Sequence, residues 1–186
     1  MRALTSAKTA HPTKRITLWF QDEMRVGQKG RLCHRWCRGE RPPGRQDQRF
    51  DWTYVFGAVR PDGKAAFGLV LPLVNAEMMQ IFLDRFAATL GPDEHAVMVL
   101  DKAGWHGATA LVVPDNVTLV PLPSHSPQLN PMERVWLYLR ERHLSLRVFP
   151  DQNAIVDACC NAWNAIAHDA ETLRSLCLQP WIERII

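Results

Sequence analysis

The sequence predicts an α/β domain built on a mixed five-stranded sheet, three antiparallel strands followed by two parallel ones, with helices on its flanks. Two apolar blocks, residues 96–100 and 117–122, are short and bounded by polar residues, which is typical of strands buried on both faces. Ahead of them, residues 16–71 are rich in strand-forming residues and are broken by glycine and proline turns. The 186 residues are enough for one domain with a full core.

Composition is that of a soluble globular protein, with 47% hydrophobic and 22% charged residues. No apolar run approaches the ~20 residues that a membrane helix needs, and residues 1–15 lack the apolar segment of a signal peptide. We therefore expect a cytoplasmic protein with reduced thiols and no membrane partner. The cysteines lack the paired spacing of a zinc site, so structural zinc is not expected.

The strands of the first half are predicted where β-branched and aromatic residues are bounded by glycine, proline or charge. They are residues 16–22, 32–37 and 52–59, with 65–71 as a further candidate. Alternate residues of a strand share a face, so Phe20 and Asp22 lie on one side and Glu23 on the other. This parity favours Asp22 over Glu23 as the acid that continues the buried face into a site. Residues 1–15 are polar and predict a flexible lead-in, so that the domain proper covers residues 16–186.

Helices are predicted from caps and from apolar residues at helical spacing. The predicted helices are 75–90 behind an Asn75 cap, a short one near 104–112, one from Pro131 to about residue 144, and a last long one behind an Asp151 cap. Glu133 lies in the first turn of the third helix. The apolar stripe of that helix is formed by Met132, Val135, Trp136, Leu139 and Leu144. Three antiparallel strands followed by a helix are typical of the start of a ribonuclease-H-like domain, which is the fold that we expect.

Two sequence motifs lie where the predicted parallel strands end, LDKAGWH at residues 100–106 and LPSHSPQLNPMERVW at 122–136. A third, FQDE at 20–23, ends the first strand. In this order and spacing they resemble the three catalytic blocks of the DDE transposases, specifically those of the bacterial insertion sequence 630 family within the mariner superfamily. The resemblance covers about residues 16–142 and is carried most specifically by SPQLNPMERVW.

The resemblance implies a transposase catalytic domain in which Asp22, Asp101 and Glu133 are the three catalytic, metal-binding acids. Such a domain nicks DNA at the ends of a transposon and transfers the freed 3′ ends into target DNA, commonly at a TA dinucleotide. The residue types fit this chemistry, because three carboxylates brought together repel one another unless cations lie between them. Hard oxygen ligands suit Mg²⁺ or Mn²⁺, and we expect two ions, which would clamp the attacking and leaving oxygens of a phosphoryl transfer.

Two residues depart from the family pattern. Lys102 stands where asparagine is usual after the second acid, and His125 stands where the loop usually has tyrosine. Each acid also has a purely structural explanation: Asp22 could mark a strand end, Asp101 could cap the following helix, and Glu133 lies three residues after Asn130, in the position of a capping-box acid. For each residue taken singly, the structural explanation is favoured, whereas the ordered triple favours catalysis.

The formal net charge is only +3, but basic residues crowd the region between residues 24 and 49, which suits a polyanionic partner. The expected partners are the terminal inverted repeats of a transposon and the target DNA. Candidate DNA-binding residues are Arg25, Lys29, Arg31, Arg35, Arg38, Lys102, His106, His125, Arg134 and Arg140. We also expect a homodimer. No pair of short amphipathic helices precedes residue 16, so a DNA-reading product of an upstream overlapping frame is a further expected partner.

Three alternatives to strand transfer stay open. A ribonuclease-H-like nuclease would use the same acids to cut DNA without joining it. A catalytically impaired or truncated remnant would bind DNA only. A glycosidase with paired carboxylates is more distant, because it would need neither a third acid nor the basic region.

Overall fold

The structure is a computed structural model of the chain, and it describes residues 2–28, 37–40, 49–101, 111–124, 126–145 and 147–185. Within these residues the strands are β1 (Arg15–Gly27), β2 (Trp52–Val59), β3 (Ala66–Leu71), β4 (Glu94–Leu100) and β5 (Val117–Pro121). They form a five-stranded sheet with the spatial order β3-β2-β1-β4-β5. β1, β2 and β3 pair antiparallel, whereas β1, β4 and β5 pair parallel, which confirms the predicted mixed sheet.

Helices cover both faces of this sheet. The α-helices are α1 (Arg2–Ala10), α2 (Ala76–Ala87), α3 (Met132–Leu139), α4 (Gln152–Ala167), α5 (Ala170–Cys177) and α6 (Pro180–Glu183), and a π-helical turn (Arg140–Leu144) follows α3. α2 packs on one face, hereafter the α2 face, through Met79, Phe82, Leu83 and Phe86. The other five pack on the opposite face, hereafter the α3 face, around a core that includes Trp136 and Trp163. No helix in the described ranges combines the length and the apolar character needed to cross a membrane.

The helix caps predicted from the sequence are present. The Asn75 side chain accepts a hydrogen bond from the backbone N–H of Met78 at 2.9 Å at the start of α2. The Asp151 side chain accepts one from the N–H of Ala154 at 2.8 Å at the start of α4. Each cap satisfies a backbone donor that a helix start leaves unpaired, so both helices begin where the sequence indicates.

The antiparallel part of the sheet differs from the prediction in the segments that form it. β1 runs on to Gly27, because Met24 and Val26 continue the alternation of buried residues. The candidate strand at 65–71 is β3, the third antiparallel strand. Two predicted segments lie mainly outside the described residues: the strand at 32–37 and the short helix near 104–112.

The segment ahead of β1 is helical, whereas the sequence predicts a flexible lead-in there. α1 packs on the sheet through Leu4 and Ala7, which are three residues apart and so share one side of the helix. His11 follows the helix and stacks on His95 of β4, with 3.9 Å between the ring centroids. The polar composition of this segment conceals its short apolar side. α5 and α6 likewise extend the structure beyond the last predicted helix.

Candidate active site

Asp22 lies where the parallel pairing between β1 and β4 ends. The two strands are in register as far as Phe20 with Val99, after which β1 continues beside β2. Asp22 and Asp101 each come two residues after that last pair, at the carboxyl end of the paired region. Ligand sites of open α/β sheets are found at this edge. The sheet therefore delivers the first two predicted acids to one edge.

Strand alternation separates Asp22 from its neighbour Glu23. Phe20 and Met24 belong to the core on the α3 face, so Asp22, which lies between them at the same parity, belongs to that face too. Gln21 and Glu23 have the opposite parity, and the Gln21 amide nitrogen donates to a Glu23 carboxylate oxygen at 3.2 Å. This arrangement agrees with the parity argument that favours Asp22 over Glu23.

Two side chains fasten the start of α3 to β1. The buried Asn130 side chain donates through its amide nitrogen to the Gln21 carbonyl at 3.0 Å. Trp136 donates through its indole nitrogen to Oδ2 of Asp22 at 2.9 Å. Glu133 lies between these two anchors in the first turn of α3 and is exposed. The helix is thereby held with Glu133 near the part of β1 that carries Asp22.

The surroundings of Asp22 oppose its ionisation. Burial, followed by the negative charges of Glu23 and Glu133, raises the pKa of Asp22 from 3.8 to about 7. Hydrogen bonds from the Glu23 backbone and from the Trp136 side chain act in the opposite direction, because they stabilise the carboxylate. The effect of Glu133 on this pKa means that the first and third predicted acids are close enough to interact. A divalent cation beside Asp22 would offset the repulsion.

A row of positions across three strands makes room for two tryptophans beside Asp22. Asp22 is in register with Gly57 of β2, and Gly57 is in register with Gly68 of β3. Trp136 and Trp163 pack over this row, with 5.7 Å between their ring centroids. A Cβ atom at Gly57 would come within 2.6 Å of a ring carbon of each tryptophan, which is too close for a real contact. Glycine at this position therefore lets the Trp136 indole reach the Asp22 carboxylate.

The structure also bears on the alternative explanations of the acids. In a capping box, the acid accepts a hydrogen bond from the backbone N–H of the cap residue. Here the backbone N–H of Asn130 donates to the Pro127 carbonyl at 2.8 Å, so the capping-box role of Glu133 is not supported. Asp101 is exposed at the end of β4. Residues 102–110, which would form the helix that it could cap, lie outside the described residues.

Carboxylate oxygens are the donors that this edge of the sheet offers to a metal ion. Mg²⁺ and Mn²⁺ prefer such hard ligands, so Asp22, Asp101 and Glu133 fit the predicted ions by chemical type. Among the described residues, no three His, Cys, Asp or Glu side chains are gathered closely enough to hold an ion. Asp22 and Asp101 share an edge of the sheet, but together with Glu133 they do not form a metal-binding cluster in the described residues.

The predicted DNA-binding residues fall into two groups. The described and exposed ones are Arg25, Arg38, Arg134 and Arg140. Arg25 has the parity of the α2 face, opposite to Asp22, and its guanidinium carbon lies 5.8 Å from the ring centroid of Trp52. Those outside the described residues are Lys29, Arg31, Arg35, Lys102, His106 and His125. Exposed cations are thus present both on the α2 face and on α3.

Trp136 is predicted from the sequence as a core residue, but its hydrogen bond to Asp22 is not. Two signals point to such a bond. A buried tryptophan needs an acceptor for its N–H. Single glycines inside strands, here Gly57 and Gly68, indicate that another group approaches the backbone closely. Similarly, the sequence predicts Asn130 only as a helix cap, whereas its side chain also donates to the β1 backbone.

Comparison with known proteins adds a family and a relative. The pattern of the DDE superfamily endonuclease matches residues 17–156, which include Asp22, Asp101 and Glu133. The uncharacterized protein y4pE/y4sA of Sinorhizobium fredii (strain NBRC 101917 / NGR234) is 44% identical over 133 residues. The match covers 72% of this chain and 98% of that protein.

Solved structures of similar fold include complexes of the mariner protein Mos1. The Mos1 paired end complex with Mn has a TM-score of 0.64 and 14% identity, over 98% of this chain and 59% of that one. The paired end complex with Mg has a TM-score of 0.63 and 17% identity, over 95% of this chain and 55% of that one. At these identities the likeness establishes the fold, and it confirms the ribonuclease-H-like class. The chain spans less than three fifths of the length of these Mos1 chains.

Proposed function

This chain belongs to the DDE superfamily of endonucleases, and we propose that it is the catalytic domain of a transposase of the insertion sequence 630 family within the mariner superfamily. The proposed reaction is metal-dependent nicking of DNA at transposon ends, followed by transfer of the 3′ ends into target DNA at TA dinucleotides. The observation that best supports it is the position of Asp22, which lies at the carboxyl end of the β1–β4 pairing with its pKa raised by burial and by nearby carboxylates that include Glu133.

Asp22, Asp101 and Glu133 would hold two Mg²⁺ or Mn²⁺ ions through their carboxylate oxygens. When bound, the ions would activate a water molecule or a DNA 3′-hydroxyl for attack and stabilise the departing oxygen. The chain itself would place negatively charged side chains at one edge of the sheet and fix their orientation. Trp136 and Asn130 do so by joining α3, which carries Glu133, to the part of β1 that carries Asp22.

The exposed arginines would hold the DNA backbone. Arg25, Arg38 and Arg140 are suitable, because contacts between basic side chains and phosphates do not depend on base sequence. Such binding weakens steeply as salt concentration rises. Reading of the transposon ends by a separate polypeptide, and assembly as a homodimer, stay predictions.

Removal of the second acid tests the enzymatic proposal. We expect Asp101→Asn to lower Mn²⁺-dependent nicking of DNA by about 100-fold or more, because a metal ligand is lost. The matched control is Asp115→Asn, an exposed aspartate in the turn before β5 at the opposite end of the sheet, which should nick at the wild-type rate. Circular dichroism and the melting temperature check that both variants keep the fold. Undiminished nicking by folded Asp101→Asn would remove Asp101 from the site.

An assay of strand joining separates a transposase from a nuclease. A labelled oligonucleotide with a free 3′-hydroxyl is incubated with the wild-type protein, Mn²⁺ and a plasmid target. We expect covalent joining of the 3′ end to the plasmid, at TA dinucleotides, and its loss in Asp101→Asn. If DNA is cut but no joined product forms, the chain is a ribonuclease-H-like nuclease that uses the same acids, and the transposase proposal fails.

A further inference from the structure

We propose that Trp136 is a positioning residue, whose indole N–H sets the orientation in which the Asp22 carboxylate meets a divalent cation. The inference rests on the proposed function, because it takes Asp22 to be a metal ligand. It concerns a residue that the metal-binding acids do not include. Trp136 lies one helical turn after Glu133, so the same stretch of α3 that carries the third acid also holds the first.

The hydrogen bond has the geometry and chemistry of an orienting contact. Nε1 of Trp136 donates to Oδ2 of Asp22 at 2.9 Å, an ordinary length for a nitrogen donor. The indole nitrogen can only donate, so this contact favours the ionised carboxylate that a cation requires. Because Oδ2 is committed to the indole, the carboxylate is not free to rotate about its own axis. Groups that orient metal ligands in this way are a general feature of metal sites.

The indole is itself held in place from several sides. Trp136 is 1% exposed, and its ring lies against Trp163. Below it, the strand position in register with Asp22 is Gly57, where even a Cβ atom would collide with the ring. A rigid donor beside the carboxylate is what a positioning role needs, since a mobile donor could not fix the direction of Asp22.

A structural role alone would be served by the ring without its nitrogen. Phenylalanine also fills a buried site between glycine and a second aromatic ring, although it is smaller. Trp163 provides the comparison, because it packs in the same cluster over Gly57 and Gly68. If packing were the whole function of Trp136, then replacing either tryptophan by phenylalanine would have the same kind of effect.

The test compares Mn²⁺ binding by the metal-free chain, without DNA, in Trp136→Phe, Trp163→Phe and Asp22→Asn. Free Mn²⁺ is measured by electron paramagnetic resonance, and the melting temperature is recorded for each variant. We expect Asp22→Asn to lose the site, and Trp136→Phe to weaken Mn²⁺ binding by about 10-fold or more. Trp163→Phe should lower the melting temperature while binding Mn²⁺ within about 2-fold of the wild type.

A second measurement uses the wild-type chain, so it does not depend on how well Trp136→Phe folds. The chain is labelled with ¹⁵N in its indole groups and titrated with Mg²⁺. One indole N–H resonance should shift with the occupancy of the site, should stay still in Asp22→Asn, and should be the one that Trp136→Phe removes. If none of the indole N–H resonances shifts on addition of Mg²⁺, the inference is contradicted.

The outcomes distinguish this inference from the proposal on which it rests. If the wild type binds Mn²⁺ through Asp22 and folded Trp136→Phe binds it equally well, then Trp136 only packs, and the proposed function stands. If the wild type shows no Mn²⁺ binding that depends on Asp22, then the proposed metal site fails and the role of Trp136 fails with it. Only weakened binding in Trp136→Phe, with near-normal binding in Trp163→Phe, supports the positioning role.

Discussion

Asp22 is subject to two opposing influences within one side chain. Burial and the charges of Glu23 and Glu133 favour its protonated form, whereas the Trp136 indole favours the carboxylate. The result is a carboxyl group with a pKa of about 7, which is poised between the two forms near neutral pH. An acid of this kind gains from a cation, because the cation removes the penalty for ionisation.

This balance predicts how stability of the metal-free chain depends on pH. The Asp22 carboxyl binds its proton more tightly when folded, with a pKa of about 7, than when unfolded, with one of 3.8. Its contribution to the free energy of unfolding is therefore complete below about pH 4 and is lost as the pH rises through about 7. Asp22→Asn removes this dependence. We expect the variant to melt a few degrees above the wild type at about pH 8, and by a smaller margin at about pH 5.

Differential scanning calorimetry in a chelating buffer measures the difference in melting temperature between Asp22→Asn and the wild type at each pH. Addition of Mg²⁺ at the higher pH serves as the internal control, since it should raise the melting temperature of the wild type and leave Asp22→Asn unchanged. If this difference in melting temperature is the same at both pH values, the pKa of Asp22 is the same in the folded and the unfolded chain.

At the scale of elements, the start of α3 is the part on which the site depends. Asn130 binds the β1 backbone at one end of the helix's first turn, and Trp136 binds Asp22 at the other. Both contacts reach the part of β1 that lies beyond the pairing with β4 and is paired with β2. Glu133 is carried between them, so its position relative to Asp22 follows from how the helix is attached.

The attachment predicts a large effect for a single buried amide. Asn130→Ala leaves the Gln21 carbonyl without its donor and should lower the free energy of unfolding by about 1–3 kcal/mol. Asn153→Ala is the matched control, because Asn153 is an exposed asparagine in the first turn of α4. Urea denaturation measures both. Equal stability of the two variants would show that Asn130 does not fasten α3 to the sheet.

Elements with strong local signals are those that the sequence predicts well. α2 and α4 have a polar cap followed by an apolar stripe, and β4 is a short apolar block, so each is recognised from neighbouring residues alone. α1 escapes prediction because only Leu4 and Ala7 form its apolar side. The bond between Trp136 and Asp22 joins residues 114 apart in the chain, and it exists only once α3 has docked on β1.

At the level of the whole fold, the topology explains why Asp22 and Asp101, which are far apart in sequence, lie at one edge of the sheet. β1 and β4 are neighbours although Trp52 to Ala87, which include two strands and a helix, separate them in sequence. Their parallel pairing brings Asp22 and Asp101 to one edge, and α3, which carries Glu133, is attached to β1 by the hydrogen bond from Trp136 to Asp22. The sequence predicts this fold because its motifs fall at the ends of predicted strands, but it cannot supply the contacts that orient the side chains.

Diffraction from a crystal soaked in Mn²⁺ would show whether Asp22, Asp101 and Glu133 hold divalent cations together. Data collected where manganese scatters anomalously locate the ions independently of any assumption about the ligands. We expect an anomalous peak bound by the carboxylates of Asp22 and Asp101, with the Glu133 carboxylate completing the shell of an ion at the same edge. Bound manganese elsewhere, with any of the three side chains turned away from the others, would show that these acids do not form a shared metal site.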